Sequence, residues 1–241
     1  MIDDRDVSSL VLVRHGESTW NRENRFTGWV DVPLSEHGIE EARQAGRILR
    51  EEGVLFDVAF TSYLNRAIKS LWIILEELDQ MWIPELKHWA LNERHYGKLQ
   101  GLNKREMAQL EGEDRVRQWR RSWDVGPPQL DPSPDPPDRR YADLGPRLPL
   151  GESLRDTVAR VRPYWEEAIR PHLRIGQRVL VVAHGNSLRG LVKILENIPD
   201  DAIPGFELPT GIPYLLRLRA SLEVVESSFL RGRHPVNTGR P

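Results

Sequence analysis

The sequence predicts an α/β fold: a mostly parallel central sheet with helices on both faces. Three observations predict it. Short, uniformly apolar runs recur, they alternate with segments of helical periodicity, and two of them end in the same His-Gly pair. Leu10-Val11-Leu12-Val13 reads as a fully buried strand ending at Arg14-His15-Gly16. Asp57 to Ser62 and Val179 to Ala183 read the same way, the latter ending at His184-Gly185-Asn186. Helical stretches at Gly38 to Glu52, Leu64 to Leu78, Ser153 to Pro171 and Ser187 to Ile198 separate the strands, which is the pattern of a parallel sheet covered on both sides. Ligands of such sheets sit at the carboxyl ends of strands, where both His-Gly pairs fall.

The alternation stops between about Pro84 and Gly151. That stretch holds a polar segment, a helix around Glu113 to Trp123, and a loop with six prolines from Pro127 to Pro137. It reads as a helical and loop insertion over the active site within a single domain of residues 1–241. Val116, Trp119 and Trp123 fall near one face of its helix, a packing stripe, while Arg117 and Arg121 pair at i, i+4 on another. The tail, Arg231 to Pro241, has no periodicity and is expected to be mobile.

Composition narrows the function. A net charge of -2 over 241 residues argues against bulk binding to nucleic acid, so any anion site must be local. Arginine outnumbers lysine 29 to 5, which suits phosphate but locates nothing. With no cysteine, disulfides, thiolate metal sites and a Cys nucleophile are excluded. No apolar run approaches the roughly 18 residues of a membrane helix, and the acidic start lacks a signal-peptide core. The expectation is a cytoplasmic enzyme that does not engage a membrane.

Imidazole is nucleophilic while neutral near pH 7 and can attack phosphorus without a metal. His15 alone could be a hydrogen-bonded loop residue, but its neighbours suit a dianion. Arg14 offers a planar fork, Ser18 and Thr27 offer hydroxyls, Asn21 an amide, and Gly16 and Gly28 close backbone approach. His184 repeats the arrangement before a helix whose N-terminal amides favour an anion, and a second imidazole can donate to oxygens that gain charge in a transition state. No Asp, Glu and His cluster has convincing metal spacing, so no metal is expected.

The segment Leu10 to Asn21 (LVLVRHGESTWN), with VAHGNSLR at Val182 to Arg189, resembles the histidine phosphatase superfamily. NRFTGWVDVPLSEHG from Asn24, TSYLNRAIKSLW from Thr61, LNERHYGKLQGLNK from Leu91 and VRQWRRSW from Val116 resemble, within it, the cofactor-dependent phosphoglycerate mutases. The resemblance covers most of the chain. It implies interconversion of 3- and 2-phosphoglycerate, with His15 as the phosphorylated nucleophile, Glu93 as proton donor and acceptor, and His184 as transition-state stabiliser. It also implies a phosphoglycerate site lined by Arg14, Gly16, Glu17, Ser18, Thr19, Trp20, Asn21, Thr27, Gly28, Arg66, Arg94, His95, Tyr96, Lys104, Arg120, Arg121, Gly185 and Asn186. The implied cofactor is 2,3-bisphosphoglycerate as priming phosphoryl donor, and the implied assembly a homodimer or homotetramer.

Glu93 must take a proton from a substrate hydroxyl and return it, for which a raised pKa is expected. Lys104, Arg120 and Arg121 are expected to hold the substrate carboxylate and shield the phosphohistidine from water, with Arg115 and Arg117 solvated. Three other readings stay open: a phosphatase on the same scaffold, a bisphosphoglycerate synthase, and a non-catalytic phosphate-binding module. Synthases of this kind typically carry Gly where Ser18 stands and Cys-Ser where Thr27-Gly28 stand, and loss of either His or of Glu93 would mark a binding module. The Pro-rich loop and short tail depart from the resembled family and predict poorer closure over the site, with more hydrolysis.

Overall fold

A computed structural model describes residues 7–131 and 138–232. The expectations for the end of the Pro-rich loop and for most of the tail lie outside the described residues.

Six strands form one sheet: β1 (Val7–Arg14), β2 (Val58–Thr61), β3 (Glu85–Lys87), β4 (Val179–Ala183), β5 (Tyr214–Arg219) and β6 (Val224–Phe229), in the order β3-β2-β4-β1-β5-β6. β1 to β4 are mutually parallel where they pair, and β5 and β6 add an antiparallel edge. The three apolar runs are therefore the inner strands, and alternate residues of each face opposite layers. Leu10 and Leu12 pack with Val161, Trp165, Leu188 and Leu191, while Val11 and Val13 pack with Ala45, Leu49, Leu71 and Ile74.

The helices are α1 (Thr19–Arg22), α2 (Glu36–Glu51), α3 (Asn65–Glu77), α4 (Lys104–Glu111), α5 (Glu113–Arg121), α6 (Leu154–Tyr164), α7 (Arg170–Arg174) and α8 (Gly185–Glu196). Helices α2 and α3 cover one face of the sheet, and α6, α7 and α8 the other. Ser35 caps α2 by accepting from Gly38 N, and a Ser153/Asp156 capping box opens α6. Pro163 lacks an N–H, and the helix widens into a π turn, Trp165–Ile169, immediately after it. The stretch expected as one helix from Ser153 is therefore α6, a π turn and α7.

Several expectations are corrected. The interruption starts later than Pro84, because Glu85–Lys87 is the sheet's edge strand, three residues too short to show a period. Helix α4 lies in the segment expected to be merely polar; Asn103 caps it with bonds to the Arg105 and Glu106 amides. Strands β5 and β6 were not expected, because Arg217 and Arg219 interrupt the apolar pattern of β5 and Glu226, Ser227 and Ser228 that of β6. Helix α8 begins at Gly185, two residues before the expected start. In α5, Val116 and Trp119 are buried against Phe26 and Leu99, whereas Trp123 lies beyond the helix and packs with Leu154, Val158 and Ile203.

Candidate active site

The sheet register builds the site. Arg14 lies opposite Ala183, so β1 and β4 end level and His15 and His184 follow side by side. The His15 amide donates to the Ala183 carbonyl at 3.0 Å, and the two rings meet edge to face with centroids 4.8 Å apart. Thr61 lies opposite Val182, so β2 delivers Ser62 to the same level, where its Oγ lies 2.8 Å from His184 Nε2. Both rings are buried, His15 to 3% exposure and His184 to 0%.

His15 Nδ1 lies 2.6 Å from the Gly16 carbonyl, which can only accept, so the ring proton is on Nδ1 and Nε2 keeps its lone pair. Arg66 Nε points at that nitrogen from 3.4 Å. Burial first, then the Arg66 and Arg14 guanidiniums, hold the His15 pKa well below its ordinary value, so the ring is neutral at pH 7. Burial does the same to His184, aided by Arg66 and His15. Gly16 is required for packing: a Cβ there would stand 1.9 Å from the Gly38 carbonyl oxygen. The loop carrying His15 is thus clamped to the start of α2.

A cavity of about 140 Å³ opens beside His15. Of the residues singled out in the sequence, it is lined by Arg14, His15, Asn21, Thr27, Gly28, Arg66, Glu93, Tyr96, Lys104, Arg120, Arg121, Gly185 and Asn186. Among the described residues its wall carries seven cationic side chains against two carboxylates, an imbalance that calls for a multiply charged anion. Arg14 Nε and Thr27 Oγ1 are buried there without a hydrogen-bond partner. Donors left unpaired in a dry site cost stability, so they mark where an acceptor belongs. Arg66 is fixed by the Val30 and Gly28 carbonyls at 2.9 and 2.8 Å, and burial lowers its pKa to about 10, leaving it charged. Asn21 spends its carboxamide oxygen on Ser18, which leaves its NH2 group for a ligand.

Glu93 accepts from the Arg94 amide (2.7 Å), the Asn186 amide (3.2 Å) and Asn186 Nδ2 (2.8 Å), all at Oε1. Burial pushes its pKa up, but these bonds and the charges of Arg14 and Arg66 outweigh it and the net shift is downward. The raised pKa expected from the sequence is therefore corrected: the N-terminus of α8, expected to hold a ligand anion, already holds this carboxylate.

The remaining singled-out residues stand outside the cavity wall. Glu17 turns to Ser35 Oγ at 2.7 Å, and Ser18 caps α1 through Asn21. The Thr19 amide binds the Pro33 carbonyl, and the Trp20 ring lies against Gly101. His95 accepts from Gly97 N and packs on Trp29; burial first, then Arg160, lowers its pKa to about 4. The His184 ring meets that of His15 edge to face. Arg94 is fully buried against Tyr96, with Nη2 bound to the Tyr96 hydroxyl and the Arg120 carbonyl, and Nε and Nη1 unpartnered. Arg115 and Arg117 are solvated, as expected, pairing with Glu111 and Asp114.

Sequence reasoning missed Arg25, Arg189, Glu207 and Leu208, which also line the cavity. Arg189 was findable, four residues after Gly185 on the same helix face. It also missed a buried brace. Arg160 pairs with Glu152 at 2.6 Å and donates to the carbonyls of Ala90 (2.6 Å), Asn92 (3.0 Å) and Glu93 (2.9 Å), fixing the loop that presents Glu93. Arg160→Met is expected to lower unfolding free energy by about 3–5 kcal/mol, because it strands the Glu152 charge; chemical denaturation checks this.

The buried imidazoles also set acid stability. His15, His95 and His184 have folded pKa values below their ordinary 6.5. Below pH 6.5 the unfolded chain binds protons that the folded chain refuses, so stability falls as pH falls, about 1.4 kcal/mol per pH unit for each. Urea midpoints measured from pH 7 to 5 should drop steeply; a flat profile would contradict the burial of neutral rings.

Two imidazoles at the ends of adjacent parallel strands, walled by guanidiniums, make a histidine-centred anion site. The family model described as histidine phosphatase superfamily (branch 1) matches residues 10–227, and the chain belongs to that superfamily. Among solved structures it is similar to a mycobacterial glucosyl-3-phosphoglycerate phosphatase complexed with VO3 (24% identity, TM-score 0.70, covering 92% of this chain and 97% of that one). It is also similar to the alpha-ribazole phosphatase of Shigella flexneri (23% identity, TM-score 0.67, 93% and 95%) and to YhfR of Bacillus stearothermophilus (24% identity, TM-score 0.68, 90% and 94%). At these identities the likeness is one of fold. No helix among the described residues is long and apolar enough to cross a membrane.

Proposed function

We propose that the protein interconverts 3- and 2-phosphoglycerate through a phosphohistidine at His15. The observation that carries this reading is the second set of cations, Lys104, Arg120 and Arg121 from α4 and α5, lining the same cavity as His15, Arg14 and Arg66. A substrate with a phosphate at one end and a carboxylate at the other uses both sets; a simple phosphate ester uses one.

The neutral His15 Nε2 carries the phosphoryl group. A hydroxyl of phosphoglycerate attacks phosphorus, the P–N bond breaks, and the hydroxyl proton passes to Glu93, whose Oε2 is free of the bonds that hold Oε1. The Ser62 hydroxyl accepts from the Leu64 amide and lies 2.8 Å from His184 Nε2, to which it donates in this reading. That leaves the His184 proton on Nδ1, which has no partner and donates to an equatorial phosphoryl oxygen. The 2,3-bisphosphoglycerate so formed turns in the cavity and returns its other phosphoryl group to His15, Glu93 giving back the proton. Priming by 2,3-bisphosphoglycerate follows, and guanidiniums neutralise the charge without a metal.

A phosphatase on this scaffold would share every group except the acceptor, which would be water. Steady-state assays of mutase, bisphosphoglycerate synthase and hydrolase activity on the purified protein decide between them. Mutase turnover is expected to dominate, and dominant hydrolysis would overturn the reading. In this reading the protein acts in the cytoplasm as a homodimer or homotetramer.

A further inference from the structure

Phe206, Glu207 and Leu208 each engage a different arginine of the cavity wall. Arg189 Nε donates to the Phe206 carbonyl at 2.8 Å, Arg14 Nη1 donates to the Leu208 carbonyl at 3.2 Å, and Arg121 Nη2 pairs with the Glu207 carboxylate. The backbone is pinned on both sides of Glu207, so its side chain is held at the cavity. Of the two carboxylates in the wall, Glu93 is held by three hydrogen bonds and has its proton-transfer part. Glu207 has none, yet it puts a negative charge in a site built for anions. Its side chain is 61% exposed and that of Arg121 38%, so the pair stands at the rim, linking α5 to the segment after α8.

We infer that Glu207 is a specificity-determining residue, an internal carboxylate that occupies Arg121 until the second anionic end of a ligand displaces it. The inference rests on the phosphoglycerate reading above. Displacement exchanges one carboxylate for another on the same guanidinium, so the ligand's gain from Arg121 is reduced by the strength of the existing pair. A ligand with only a phosphate leaves Arg121 and Glu207 together and is indifferent to the exchange. Glu207 therefore weakens binding of two-ended anions selectively and favours release of product.

Isothermal titration of the unphosphorylated full-length protein with 3-phosphoglycerate, glycerol 3-phosphate and inorganic phosphate tests this. Glu207→Gln should tighten 3-phosphoglycerate by about three- to fivefold, the range for a rim ion pair, and leave the other two ligands within about twofold. The gain should vanish in an Arg121→Gln background and shrink at high salt. Unchanged or weaker binding of 3-phosphoglycerate overturns the inference, as does equal tightening of all three ligands. Wild-type protein that binds 3-phosphoglycerate no more tightly than glycerol 3-phosphate overturns the phosphoglycerate reading itself, a result seen without any variant.

Discussion

His15→Ala is expected to lower mutase turnover by at least about 10⁴-fold while leaving inorganic phosphate bound, because the nucleophile disappears and the anion donors remain. No neighbour can take over. His184 is the nearest imidazole, at 4.8 Å between centroids, but its Nε2 is engaged with Ser62. Arg14 and Arg66 present guanidinium N–H donors, which cannot attack phosphorus. The chain should still fold, since the loop is held by Gly16 against Gly38 and by the Gly16 amide on Ser70 Oγ. Steady-state kinetics and a phosphate titration check both halves, and turnover within tenfold of wild type would remove His15 from the reaction.

Glu93→Gln is expected to lower kcat by about 10²–10⁴-fold with little change in KM, the loss typical of a positioned proton carrier. The amide preserves the shape that Arg94 and Asn186 hold, so the loss is chemical. Because the Glu93 pKa is lowered, the resting residue is a ready base, and its capacity to return the proton arises when the phosphoryl dianion comes beside it. Glu93 must be unprotonated to take the hydroxyl proton that opens a cycle, and its pKa is shifted down. The acid limb that Glu93 contributes to kcat/KM is therefore expected below the usual carboxylate range, and a Glu93-dependent limb near neutral pH would contradict the hydrogen-bonded, cation-flanked carboxylate.

How far the sequence could be read follows from where each signal resides. The inner strands were legible because Leu10 to Val13 and Val179 to Ala183 are buried on both faces and need no alternation. The edge was not, because Arg217 and Arg219 in β5 and Glu226, Ser227 and Ser228 in β6 break the apolar pattern, and β3 has three residues. His15 and His184 were legible at strand ends, and the arginines of α5 as an uneven helix face. Arg160 was not, since its importance lies in three carbonyls some 70 residues away, which no local spacing encodes. The direction of the Glu93 shift was not legible either: burial alone predicts a raised pKa, and it is reversed by the Arg94 backbone amide, whose aim depends on the fold of the loop, together with Asn186 on α8 and the charges of Arg14 and Arg66.

The phosphohistidine is tested most directly by incubating the wild-type protein with 2,3-bisphosphoglycerate labelled in its phosphoryl groups, then mapping the label by peptide mass spectrometry at alkaline pH. Acid-labile label on His15 Nε2, transferable to added 3-phosphoglycerate and absent from His15→Ala, is the predicted result. Label on another residue, or mutase turnover with no label on the chain, would contradict it.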